Sequence, residues 1–310
     1  MQIKEILFPI DFSDQNLSLN SQVEWLAWHF DARVTLLHVF EIPAAWYGSA
    51  EVPILDPGYL KDFSDAAQNR LNNYKIDLPA EQVRRIMLDG GVASNICDWV
   101  RANSVDLIVM GTHGYGALRR MLLGSVAMRL LHELDCPVWT LNSTTTRLSG
   151  LKQPISKILC AIDFRPETLA LLHYAKDFAA ACEATVQLIH SIPEIETLPG
   201  RYYDTEFHQE LRRVASRDIS RLQAEAGTNF GVTIGNGPFG ADIVERAAQH
   251  RCDLIIVGRG KMQSTFGGLR THAYDIIREA QCPVLSVSMK SEQAPGDLTQ
   301  SKALEAVSGV

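Results

Sequence analysis

The chain writes one pattern twice, and that repetition limits its fold more than any other feature. The stretch "EILFPIDFSD" at 5–14 returns as "KILCAIDFRP" at 157–166, and "ARVTLLHVFEIP" at 32–43 returns as "ATVQLIHSIPEI" at 184–195. Asp11 thereby corresponds to Asp163 and His38 to His190, in each case 152 positions later. Further on, "NICDWVRANSVDLIVMGTHG" at 95–114 matches "DIVERAAQHRCDLIIVGRGK" at 242–261, and "LDCPVWTL" at 134–141 matches "AQCPVLSV" at 280–287. A length of 310 residues suits two domains of roughly 150 residues. The repeat places them at 1–148 and 149–290. Between them lies "NSTTTRLSGLKQP" at 142–154, a Ser/Thr-rich linker closed by Gly and Pro, and residues 291–310 lose the apolar pattern and read as a mobile tail.

Within the first copy the apolar runs 4–10, 33–40, 83–88, 106–110 and 137–141 have strand length, and longer amphipathic segments such as 16–30 and 93–103 separate them. Runs such as "DLIVMG" are apolar throughout, as strands covered on both faces must be. The alternation predicts an α/β fold of two tandem, doubly wound, Rossmann-like domains. Each would have a five-stranded parallel sheet flanked by helices. If the first and fourth strands are neighbours, the strand order is 3-2-1-4-5, which right-handed crossovers permit. The edge strands "VWTL" and "VLSV" close their repeats, so the two copies are expected to pack through them as an intramolecular domain pair. A homodimer and unidentified protein partners stay open. Residues 43–62, "PAAWYGSAEVPILDPGYLKD", are expected to form a mobile cover near the site.

Composition narrows the function classes. A net charge of −7 gives no broad basic field for nucleic acid or an anionic membrane. The six cysteines form no C-x-x-C pair, which favours reduced thiols over a disulfide or zinc framework. No uninterrupted apolar run reaches the length of a membrane span, and the first residues lack the pattern of a secretory leader. The expected location is therefore cytoplasmic.

The stretch with the most chemistry is "MGTHGYGALRRMLLGSVAMRLL" at 110–131. Gly111, Gly114 and Gly116 allow a loop whose backbone N–H groups point inward and whose ligand meets no Cβ. Gly124 and Ser125 then open a helical stretch that begins with Val126, where unpaired N–H groups and the positive dipole end favour an anion. The plainer alternative is that the glycines shape a turn and Ser125 caps a helix. In an open parallel sheet the ligand crevice lies beyond the carboxyl ends of the strands where the winding reverses, which is where Asp11 and Gly111 fall.

The spacing G-x2-G-x9-G-[ST], formed by Gly111, Gly114, Gly124 and Ser125, resembles the motif of nucleotide-binding members of the universal stress protein family. "FPIDFS", "LLHV" and "DLIVMGTHG" are similar to that family's first, second and fourth strands, and the likeness covers about residues 3–142 and, more weakly, 155–289. The resemblance implies ATP, or else ADP or AMP, with Mg²⁺ as a companion of the triphosphate. It implies that Asp11 and the Val39 backbone hold the adenosine end, that Gly111, Gly114, Gly124 and Ser125 surround the phosphates, and that Val126 belongs to the cofactor-binding residues. Pro9, Ile10 and Met110 would then wall the base, while His113 could touch a phosphate or a metal. A helix-capping role for Asp11 stays open.

The second copy departs from the motif, with Arg270-Thr271 in place of Gly124-Ser125, one loop residue missing, and Ser191 in place of Val39. It is expected to be the non-binding partner, although Lys261 and Arg270 could clasp an anion. His38 reads as a hydrogen-bonded core histidine, and Cys136, ahead of Pro137, as a packing residue. Arg119 and Arg120 are either phosphate contacts or solvated charges. The leading function is a nucleotide-dependent stress-response regulator or scaffold. Two alternatives are a weak ATPase or self-phosphorylating enzyme, which would lack a Walker-A lysine, and a protein-interaction module that binds no nucleotide.

Overall fold

The computed structural model describes residues 1–42, 57–112, 123–142, 154–192, 205–260 and 271–289. The first repeat runs β1 (Glu5–Pro9), α1 (Asp14–Phe30), β2 (Arg33–Phe40), α2 (Pro57–Asn72), β3 (Val83–Asp89), α3 (Val92–Ala102), β4 (Leu107–Gly111), α4 (Ser125–Glu133) and β5 (Val138–Leu141). The second runs β6 (Lys157–Ala161), α5 (Thr168–Cys182), β7 (Thr185–Ile192), α6 (Thr205–Ala226), β8 (Gly231–Asn236), α7 (Phe239–Gln249), β9 (Leu254–Gly260), α8 (Thr271–Glu279) and β10 (Val284–Met289). Each apolar run of the first copy is a strand, and the amphipathic segments between them are helices.

Local chemistry explains where the elements stop. Leu19, Val23, Leu26 and Ala27 recur at helical spacing and are wholly buried, so α1 lies along the sheet. It ends at Asp31, whose φ of 50° is left-handed, and α5 ends the same way at Glu183 with φ 54°. The repeat thus extends to single backbone dihedrals. Residues 57–62, expected to belong to a cover, are instead helical in the first turns of α2. Proline at the head of a helix gives up no intrahelical bond, because the first N–H groups are unpaired there anyway. The remainder of that cover, 43–56, lies outside the described residues, as do the linker from 143 to 153 and the tail 291–310.

The sheet is one continuous array of ten strands in the order β3-β2-β1-β4-β5-β10-β9-β6-β7-β8. Either half reads 3-2-1-4-5 in its own count, with every pairing inside a half parallel. The seam is antiparallel and pairs Val284 with Thr140, Leu285 with Trp139 and Ser286 with Val138. Trp139 and Leu285 are each other's counterparts in the repeat, so a pseudo-twofold axis passes between them. Matching contacts flank it: Thr140 Oγ1 donates to the Val284 carbonyl at 3.1 Å, and Ser286 Oγ donates to the Val138 carbonyl at 3.2 Å. On the helical layer His29 Nε2 lies 2.9 Å from the carbonyl oxygen of Ala181, its own counterpart. The edge-to-edge packing expected from the sequence is therefore the packing seen, and it leaves neither β5 nor β10 as a bare edge.

Two apolar layers cover the sheet, and each is continuous across both repeats. One contains Phe8, Leu26, Trp139, Phe178 and Leu285, and the other contains Leu7, Ile108, Leu130, Val138, Ile255 and Val284. No helix among the described residues is long and apolar enough to cross a membrane.

Trp139 sits at the axis with no exposed surface. Trp139→Ala should cost about 3–5 kcal/mol, the usual range for truncating a buried aromatic. Chemical denaturation of the whole chain measures this, and a loss below about 1 kcal/mol would show that the seam does not carry the fold.

Candidate nucleotide-binding crevice

β1 and β4 lie side by side, with Ile6 opposite Leu107 and Leu7 opposite Ile108. Their carboxyl ends therefore open onto a common rim, where the winding of the sheet reverses. A cavity of about 550 Å³ occupies this rim. Pro9, Ile10, Asp11, Val39, Met110, Gly111, Gly124, Ser125 and Val126, all named from sequence, line it together. His113 and Gly114 lie outside the described residues, as do Gly116, Arg119, Arg120, Lys261 and Arg270.

The turn after β1 is tightly specified. Asp11 Oδ1 accepts the Ser13 N–H at 2.9 Å. Asn16, buried at 5% exposure, accepts the Asp11 N–H through Oδ1 at 2.9 Å and donates from Nδ2 to the Pro9 carbonyl at 3.2 Å. Between them Phe12 takes a left-handed φ of 59°. One Asp11 oxygen thus fixes a local turn, and among the described residues no cation pairs with this carboxylate. Ser13 precedes α1 without capping it, and its hydroxyl oxygen is buried with no partner among the described residues although Ser13 lines the cavity. A buried hydroxyl is costly unless something bonds it, so Ser13 is fitted for a polar group in the crevice.

His38 borders the same space as a bonded core histidine. Its Nδ1 stands 2.7 Å from the Ile10 carbonyl oxygen and its ring 4.6 Å from that of Phe12. Burial lowers its pKa below 6.5, and the Arg70 guanidinium, 4.4 Å above the Phe12 ring, pushes the same way. A carbonyl can only accept, so in the neutral ring Nδ1 carries the proton. His190 repeats the contact with Ile162 at 3.1 Å.

The opposite wall is the start of α4. Thr112, fully buried, donates its N–H to the Leu141 carbonyl at 3.2 Å, and its own carbonyl accepts from Gly124 N–H at 2.9 Å. These bonds hold Gly124 beside the end of β4. Gly124 is the residue before the helix, with no side chain to cap it, and the first turn of α4 holds no acid. The early N–H groups of α4 have no acceptor within the helix, and residues Ser125 to Met128 border the cavity. Val92, Ile96, Leu37 and Met110 complete an apolar wall. A flat apolar body with hydroxyls at one end and an anion at the other matches this arrangement. Among the described residues no three His, Cys, Asp or Glu side chains gather to hold a metal.

The sequence reading missed Ser13, Asn16 and Thr112. A Ser and an Asn just ahead of an apolar helical pattern signal a helix start, and that signal could have exposed the first two. Thr112 could not have been found, because its role rests on backbone groups.

The second repeat has a smaller counterpart of about 240 Å³, bordered by Asp163, Arg165, His190, Ser191, Gly258 and His272 among others. Arg165 replaces Ser13 there, and its Nε lies 2.7 Å from Asp163 Oδ2. Ser191, in the place of Val39, spends its hydroxyl on the Gly237 carbonyl at 3.3 Å. The carboxylate that pairs with no cation among the described residues in the first repeat is engaged by Arg165 in the second.

Cys136 and Cys160 are poor nucleophiles. Burial raises the Cys136 and Cys160 thiols to about 12, and Cys136 packs with its Sγ 3.2 Å from the Val105 carbonyl oxygen.

Comparison with known proteins agrees with the repeat. The model described as "Universal stress protein family" matches residues 2–142 and again 154–288. A universal stress protein of Methanocaldococcus jannaschii is 33% identical over 141 residues, covering 44% of this chain and 79% of that protein. Universal stress protein A homolog 1 of Coxiella burnetii is 30% identical over 141 residues, covering 44% of this chain and 95% of that protein. The crystal structure of a universal stress protein from Archaeoglobus fulgidus matches 93% of this chain and 99% of its own with a TM-score of 0.68. At 19% identity that likeness is one of fold.

The lowered pKa of His38 sets a direction for pH dependence. Its unfolded form takes up a proton near pH 6.5 while the folded form resists, so the stability it contributes is complete above 6.5 and falls as pH drops below that value. NMR titration of the ring should give a midpoint below 6.5. A midpoint above 6.5 would mean that a carboxylate, not burial, governs this histidine.

Proposed function

The chain belongs to the universal stress protein family as a tandem pair of its domains, and from that premise we propose that the first repeat binds one adenine nucleotide while the second does not. The carrying observation is the 550 Å³ crevice that joins Asp11, which pairs with no cation among the described residues, and the Ser13 hydroxyl, which has no partner among them, to an uncapped, acid-free helix start. Its volume lies within the usual range for small-molecule sites. In this reading Pro9, Ile10, Val39 and Met110 face the base, and Asp11 with Ser13 accepts or shares hydroxyl protons of the ribose. Ser125 and Val126 present backbone N–H groups to phosphate, Gly111 and Gly124 leave its path free of side chains, and Gly114 and His113 are further contacts from the loop.

ATP is the nucleotide proposed, with ADP and AMP as the other members of the class. Mg²⁺ would ride on the phosphates, since the described residues offer it no cluster of ligands. The biological role that fits is a nucleotide-dependent regulator or scaffold of the stress response, acting in the cytoplasm. The domain limits 1–148 and 149–290 belong to the same proposal.

Native mass spectrometry of the purified chain should release an adenine nucleotide, and calorimetry with ATP should give one site per chain. Gly124→Arg copies the second repeat's arginine into the phosphate path and leaves both cores untouched. Affinity should fall tenfold or more, because losing one charge-assisted hydrogen bond costs about 1.5–3 kcal/mol. Two equivalent sites, or full affinity in Gly124→Arg, would refute the assignment. A timed phosphate-release assay on the same samples separates binding from hydrolysis.

A further inference from the structure

We infer that Arg259, a residue of the second repeat, is a positioning residue for the crevice of the first. This rests on the nucleotide reading above and adds to it a dependence of the first site on the second domain.

Arg259 lies in β9 opposite Ser288 of β10, and is only 5% exposed. Its guanidinium crosses the seam and reaches the far end of α4. Nη1 donates to the carbonyls of Leu131 at 2.5 Å and Leu134 at 3.2 Å, and Nη2 donates to the carbonyl of Cys136 at 2.6 Å. The final carbonyls of a helix have no partner within it and form its negative end. A forked cation suits them better than any neutral donor. Among the described residues no carboxylate forms an ion pair with Arg259, which faces the three carbonyls directly while the Asp135 charge acts on it from nearby. Burial lowers its pKa to about 10, which still leaves the group charged at neutral pH.

α4 is the helix whose opposite end borders the crevice, and it is nine residues long. At 1.5 Å per residue it spans about 14 Å, so a tilt or fraying at the held end displaces the N–H groups at the ligand end. Among the described residues no arginine of the first repeat does the same for the second. Thr112, the counterpart of Arg259, is a short neutral residue that borders the crevice of its own repeat. Among the described residues, α8, the counterpart of α4, is met across the seam by an amide, Asn142 Nδ2 donating to the Arg278 carbonyl. The stronger clamp holds the helix that serves the larger cavity. The position that belongs to a ligand wall in the first repeat has become, in the second, a strut for its neighbour.

Arg259→Met keeps the length and apolar stem while removing charge and donors, and Arg259→Lys keeps the charge but not the fork. Asn142→Ala removes the contact on α8 and serves as the control. Calorimetry with ATP and amide hydrogen exchange across 127–134 are read on the full chain. In Arg259→Met the affinity should fall fivefold or more, with faster exchange in α4 and unchanged exchange in β2 and β3. Arg259→Lys should recover part of both effects, and Asn142→Ala should stay within twofold of the original affinity. Original affinity and α4 exchange in Arg259→Met would overturn the inference, as would an equal loss in Asn142→Ala. If the methionine variant does not fold, Arg259→Lys decides: a two- to fivefold loss supports the role and none refutes it. The two readings fail separately. An original chain that binds no ATP defeats the nucleotide reading and the positioning role with it, whereas ATP binding that is indifferent to Arg259 defeats only the latter.

Discussion

The antiparallel pairing of β5 with β10 is the constraint on which the rest of the molecule depends. It joins two five-stranded sheets into one, and it lets each apolar layer run unbroken from repeat to repeat. Edge strands with free N–H and C=O groups invite association, and here each covers the other. The axis falls between Trp139 and Leu285, so the seam is formed by equivalent residues and needs no dedicated interface. A single chain thereby reproduces the geometry of an isologous dimer.

That symmetry is broken where function is proposed. The same turn after the first strand holds Asp11 and Ser13 in one copy, and Asp163 tied to Arg165 in the other. The same helix start follows a bare glycine in one copy and an arginine in the other. The cavities, about 550 and 240 Å³, follow those differences. Backbone symmetry requires only that the apolar pattern persist, while a ligand site requires particular polar atoms to remain free. Substitutions that bind up those atoms would remove a site without disturbing a core, and Arg259, at the position of Thr112, is turned toward the neighbouring domain.

Much of this was legible from residues alone. The repeat predicted two domains, the apolar runs located the five strands of the first, and the reversal rule put Asp11 beside Gly111. These features rest on periodicity and topology, which one sequence displays directly. The fate of 57–62 was misjudged, because Pro and Gly were weighed as loop formers although proline also suits the head of a helix. Ser13, Asn16 and Thr112 went unnoticed for a different reason. Their importance lies in whether a hydrogen bond is made or left open, and that depends on neighbours distant in the chain, such as Leu141 for Thr112.

The claim at the centre of the account is that one of two like-folded crevices binds the nucleotide. Amide hydrogen exchange of the full chain with and without saturating ATP compares both crevices in a single sample. The account predicts slower exchange at 10–11, 39, 111–112 and 124–128, with no change at 162–163, 191, 258–259 and 271–273. Slowing at the second set, or at neither, would contradict it.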